Sequence, residues 1–129
     1  MVIDTSALAA IFFAEPERQT FLNAITAAGS RLLSAASVLK TGIVLEARRG
    51  EAAGREFDLF VVRANLQIVS VDAEQVELAR LAWRKYGKGR HPAALNFGDC
   101  FSYALAKSSG EPLLAKGTDF ASTDIAVWK

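Results

Sequence analysis

The chain has one cysteine, one histidine, almost no net charge and no long apolar run, and each shortage removes a class of function. Cys100 alone can form no internal disulfide and no cysteine-based zinc site, which fits a reducing cytoplasm. His91 has no second His or Cys with which to ligate zinc, so a phosphate or backbone hydrogen bond is expected of it. Fifteen Lys and Arg against 14 Asp and Glu leave a formal charge of +1, so any nucleic-acid contact has to come from a local patch. No stretch approaches the roughly 20 apolar residues of a membrane-spanning helix. Ala7 to Ala14 is preceded by Asp4, has no Lys or Arg ahead of it and is followed by Glu15-Pro16-Glu17, so it reads as a packed helix and not as a signal segment. Linkers, low-complexity segments and internal repeats are missing too, and Gly87-Lys88-Gly89 lacks the spacing of a nucleotide-binding P-loop.

What is present is the composition of one globular domain over residues 1–129, with 51% apolar and 22% charged residues. Short apolar runs alternate with helical ones, the pattern of an α/β fold with a mostly parallel sheet covered by helices. Four strands are expected at Val2 to Asp4, Arg31 to Ser34, Leu66 to Val69 and Leu113 to Ala115, with a weaker fifth at Ile125 to Trp128. Helices are expected over Thr5 to Phe13, over Pro16 to Ala28 with Pro16 in its first turn, and as a hairpin from Ser37 to Asn65 broken at Gly50. In the second arm of that hairpin Phe57, Phe60, Val61 and Ala64 fall on one face. Asp72 caps a further helix that ends at Gly87, and another runs from Phe101 to Lys107. Trp83, Phe12, Phe13 and Phe21 have the spacing of core or interface residues, and Cys100 that of a small buried hydrophobe.

Three carboxylates stand out by position. Asp4 ends the first strand, Asp99 lies where a loop becomes a helix, and Asp119 follows the fourth strand. An isolated Asp4 reads equally well as an N-cap, and an acid in the first turn of a helix is favoured by the dipole whatever its function. The combination carries more weight. If the first and fourth strands are neighbours, all three acids open on the crevice at the carboxyl ends of the strands, where open α/β sheets bind ligands. Oxygen-only donors of this kind suit Mg2+ or Mn2+ and chemistry on phosphate. Arg80, Arg84, Lys85, Lys88, Arg90 and His91 form the one dense basic stretch, which reads either as a groove tracking a single-stranded backbone or as a solvated helix end and loop. Thr5 and Ser6 lie beside Asp4, either to orient a water or to cap the first helix, and together with Arg90, His91 and Asn96 they are the candidate substrate contacts.

Met1-Val2-Ile3-Asp4-Thr5-Ser6-Ala7-Leu8, Leu45-Glu46-Ala47-Arg48, Gly87-Lys88-Gly89-Arg90-His91-Pro92, Leu95 to Cys100 and Tyr103-Ala104-Leu105-Ala106-Lys107 together resemble PIN-domain ribonuclease toxins of the VapC type, over nearly the whole chain. The resemblance implies a Rossmann-like parallel sheet in the order 3-2-1-4-5, RNA cleavage by metal-activated water, and a cognate antitoxin in the active-site groove. It maps the metal site to Asp4, Asp99 and Asp119. It also implies a glutamate on the helix after the second strand, where this chain has Lys40. Glu46 is no substitute, because six residues along a helix leave it roughly 240° from Lys40 around the axis. Thr118 and Ala115 are milder departures, at positions where many relatives carry an acid and a bulky apolar residue.

Lys40 changes the charge count: three carboxylates and one ammonium sum to −3 + 1 = −2, enough for one divalent ion and not two. If position 40 faces the crevice, a salt bridge to Asp4 or Asp99 is expected; otherwise the lysine runs to solvent with its stem over the core. The leading expectation is a metal-dependent endoribonuclease impaired by Lys40, assembled as a homodimer or with its antitoxin. The alternative is a catalytically silent binding module that keeps the antitoxin groove. A phosphoryl-accepting receiver domain is less well matched, since it would want paired acids at the first strand's end and only Asp4 is there.

Overall fold

A computed structural model describes all residues from Met1 to Lys129. Four short strands, β1 (Val2–Ile3), β2 (Leu32–Ser34), β3 (Gln67–Val69) and β4 (Leu113–Leu114), form one sheet in the order β3-β2-β1-β4. Every pairing is parallel, with Val2 opposite both Leu32 and Leu113. Parallel strands need crossover connections, and six helices supply them and cover the sheet. These are α1 (Thr5–Phe12), α2 (Arg18–Ala27), α3 (Ala35–Arg49), α4 (Glu51–Arg63), α5 (Ala73–Tyr86) and α6 (Phe97–Ser109).

The two-residue period of the central strands divides the core. Val2 and Leu113 point to the side packed by Leu95, Tyr103 and Leu105, while Ile3 and Leu114 point to the side packed by Leu8, Phe57 and Leu45. The hairpin face read from the sequence is part of this second core: Phe57 is buried, meets Phe12 edge to face at 6.0 Å, and is flanked by half-buried Phe60, Val61 and Ala64. Gly50 breaks the hairpin with φ 78° and ψ −179°, a conformation that side chains disfavour.

Several boundaries differ from the sequence reading. The fifth strand is reduced to one parallel bridge between Leu113 and Val127, because the chain before it is taken up by a 3-10 turn at Asp119–Ser122 and a bend. Pro16 lies ahead of α2 and not in its first turn: the chain turns there, with Arg18 N donating to Glu15 O, and the helix begins at Arg18. The first arm of the hairpin, α3, starts two residues early because Ser34 caps it, its hydroxyl accepting from Ala36 N. The last helix starts at Phe97, since Asn96 and Asp99 form a reciprocal capping box. Trp83 is 46% exposed, so it is not a core residue.

Candidate active site

The site is built where β1 ends. Asp4 is 4% exposed and serves two roles at once. Its Oδ2 accepts from Ser6 N at 3.0 Å and so caps α1, while its Oδ1 accepts from the Ser102 hydroxyl at 2.5 Å. Ser102 lies three residues after Asp99, on the same face of α6. The hydrogen bond therefore holds Asp4 alongside the first turns of that helix. Asp99 is itself buried at 9% exposure, and its Oδ2 accepts from Asn96 N at 3.0 Å. Burial pushes its carboxyl above the ordinary range; the hydrogen bond from Asn96 and the charge of Lys40 pull it down, while Asp4 and Asp119 push it up. Asp99 thus lies within the field of both other acids.

They do not close into a cage. No three His, Cys, Asp or Glu side chains stand close enough together to surround an ion. Asp119 accounts for the looseness, since it opens the exposed 3-10 turn and remains in solvent. The loop before it is tied back to the body by Lys116, whose backbone N donates to the Ser6 hydroxyl at 2.9 Å and whose ammonium bridges Glu15 and Glu17.

Lys40 lies at the site but not in the expected salt bridge. None of the six ion pairs of the molecule involves Lys40, Asp4, Asp99 or Asp119. The lysine stem crosses the first turn of α6 over Gly98, where an added Cβ would meet its Nζ at 2.5 Å. Gly98 makes room for that path, and Asp99 turns its carboxylate back onto its own capping box, so the ammonium acts on Asp99 through space. Glu46 points elsewhere, against Gly54 on the α4 side.

The proposed substrate contacts divide. Thr5 is turned inward: its hydroxyl is buried, donates to Ser37 O and accepts from the Thr41 hydroxyl, so it braces α1 against α3. The Ser6 oxygen is engaged by Lys116 N, and the Asn96 side-chain oxygen by Asp99 N at 2.9 Å. His91 makes the backbone bond expected of it, Nδ1 accepting from Ala93 N, with its ring edge-on to Tyr86. Arg90 is exposed and lies 4.1 Å above the Trp83 ring. Ser102 was not found from the sequence; its i+3 spacing from Asp99 was the available signal.

Does this donor set fit a hard divalent ion? Two buried carboxylates with no ion-pair partner, and a third acid in the field of Asp99, are oxygen donors whose charge Lys40 offsets only in part. Mg2+ is commonly held through one or two carboxylates while keeping several waters. The residues fit one such ion. They do not fit two, because no fourth acid joins them and the side chain beside Asp99 is the cation Lys40.

A parallel α/β sheet with acidic side chains gathered at its carboxyl edge defines the class of protein. The chain matches the PIN domain family over residues 1–126 and belongs to it. It is 58% identical over 126 residues to ribonuclease VapC30 of Mycobacterium tuberculosis, covering 98% of this chain and 96% of that one. It is 57% identical to ribonuclease VapC of Mycolicibacterium smegmatis, covering 98% of each. Among solved structures it resembles M. tuberculosis VapC20, a sarcin-ricin loop cleaving toxin, with a TM-score of 0.79 at 20% identity over 99% of this chain and 98% of that one. A chain of a toxin-antitoxin complex from Klebsiella pneumoniae aligns with a TM-score of 0.73 at 18% identity, covering 98% and 95%.

Proposed function

We propose that this chain is the ribonuclease toxin of a toxin-antitoxin pair, a cytoplasmic endoribonuclease that hydrolyses RNA phosphodiesters with one divalent ion, Mg2+ or Mn2+. The observation that carries the reading is the buried Asp4 and Asp99 pair, which has no basic partner within salt-bridge reach. Buried carboxylates of that kind are costly unless something cationic joins them. Relatives named as ribonucleases at 57–58% identity support the choice of RNA.

When bound, the ion supplies Lewis-acid polarisation of the phosphate and a more acidic water. The chain's own residues prepare the place. Ser102 and Ser6 N fix the rotamer of Asp4, so both of its oxygens are oriented before any ligand arrives. Asp99 keeps one oxygen in its capping box, which leaves the other for a ligand. Asp119, on the exposed turn, extends the acidic field toward the substrate side, and Arg90 offers a cation to the substrate. Lys40 places a positive charge where it competes with the ion and leaves the activity impaired.

The antitoxin docks across the crevice and the α3–α4 hairpin, where Leu39 and Ile43 are 66% and 58% exposed, and offers a basic residue to the acids. A homodimer would use the same apolar residues. A second reading, a silent binding module, is favoured by one observation, the ammonium beside Gly98. The test is cleavage of a fluorogenic RNA in Mg2+, Mn2+ and EDTA by the chain and by Asp4→Asn. Metal-dependent cleavage lost in the variant supports the enzyme. No cleavage in either metal, with antitoxin binding intact, selects the silent module.

A further inference from the structure

Beside the acidic site, and sharing the first turn of α6 with it, a groove of about 800 Å³ runs between α5 and α6. Its floor is apolar, but its charges are one-sided: Arg80, Arg84, Lys88 and Arg90 line it and no acid does. In a chain with 15 basic and 14 acidic residues this is a segregated patch. Arg80 is drawn toward Glu77 at 3.4 Å, while Arg84 and Lys88 make no ion pair. Two large aromatic rings are left open to solvent, Trp83 at 46% and Phe97 at 81%. Trp83 carries the Arg90 guanidinium at 4.1 Å, and Phe97 stands edge to face on Phe101 at 5.0 Å. The backbone makes room for the first ring. A Cβ at Gly87 would lie 2.5 Å from Trp83 Cδ1, so a side chain there would push the indole out of place.

Flat faces next to unpaired cations are what a single-stranded nucleic acid needs, because every base has a π face and every nucleotide a phosphate. An acidic peptide would use the cations and leave both rings without a partner. We propose that this groove is a nucleobase-binding subsite that guides single-stranded RNA to the Asp4 and Asp99 site. A base stacks on the Trp83 and Arg90 platform, the adjoining phosphates meet Arg84 and Lys88, and Phe97 stands between the groove and Asp99. This rests on the ribonuclease reading and deepens it by naming where the substrate is held.

The experiment measures binding of a short fluorescein-labelled single-stranded RNA by anisotropy in EDTA, so that neither metal nor cleavage is required, over a series of salt concentrations. Trp83→Ala should weaken binding roughly 5- to 150-fold, and Trp83→Phe should keep most of it. Arg84→Ala with Lys88→Ala should flatten the dependence of log Kd on log salt by about 0.7 per lost contact. Circular dichroism verifies that each variant is folded. RNA binding that is indifferent to all of these changes overturns the subsite and leaves the ribonuclease reading standing. Binding that follows the prediction but is never accompanied by cleavage when Mg2+ or Mn2+ is added keeps the subsite and sinks the ribonuclease reading. A chain that ignores RNA, and instead binds a labelled oligoglutamate peptide in a way that depends on Arg84 and Lys88 but not on Trp83, overturns the proposal in favour of a peptide site.

Discussion

Replacing Lys40 by glutamate reverses a charge in the field of Asp99 without touching a core residue. The side chain is half-buried and its stem follows the α6 surface over Gly98, so the fold should tolerate the change. The ammonium is not within salt-bridge distance of any carboxylate, which calls for the weak coupling of partly solvated charges, about 0.5 kcal/mol per unit pair. Lys40→Glu changes the local charge by two units against an ion of charge +2, giving about 2 kcal/mol, or ~30-fold tighter Mg2+ binding. Direct ligation by the new carboxylate adds to that. Lys40→Ala changes the charge by one unit and gives about 1 kcal/mol, or ~5-fold. Calorimetric titration with MgCl2, run beside cleavage of a fluorogenic RNA, should rank Glu above Ala above Lys in both affinity and rate. Equal affinities for the three proteins would refute the reasoning, because they would mean that the charge at position 40 does not reach the ion.

Two further predictions concern the acids themselves. Asp99 has its carboxyl raised by burial first, so the folded protein holds that proton more tightly than the unfolded chain does. The stability tied to that proton is full below the unfolded value and is lost as pH rises through the folded one. Asp99→Asn, which keeps a capping oxygen, should therefore be more stable than the unaltered chain at neutral pH by about 0.5–2 kcal/mol, with the gain shrinking in acid. Thermal melts of both proteins from acid to neutral pH measure it, and a gain that grows toward acid would contradict the assignment. Ser102→Ala removes a hydrogen bond to a buried carboxylate and should cost roughly 1.5–3 kcal/mol in urea denaturation at neutral pH. A loss below about 0.5 kcal/mol would show that Asp4 finds another donor.

The sequence by itself determined the class of fold and the place of Asp4 at the sheet edge. Alternation of short apolar runs with amphipathic stretches leaves little choice but a parallel sheet under helices, and a strand two residues long, such as Val2–Ile3, puts the next residue at the sheet edge. Asp4 could be located for that reason, and Glu46 excluded, because both inferences depend on periods of the chain that local geometry sets. The rest depended on packing between elements distant in sequence. Ser102 meets Asp4 across 98 residues, and Thr5 is turned inward by Ser37 and Thr41, contacts that no local period reveals. An ion pair at Lys40 is expected only if position 40 faces the crevice, where the family resemblance places it. Only the tertiary structure could decide that Gly98 lets its stem pass along α6 while Asp99 turns back to Asn96. The same holds for Trp83, whose helical spacing suits a core position equally well. Its exposure follows from where α5 meets α6, and the missing Cβ at Gly87 only makes room for the ring, because burial is a property of the neighbours a side chain finds and not of the chain that carries it.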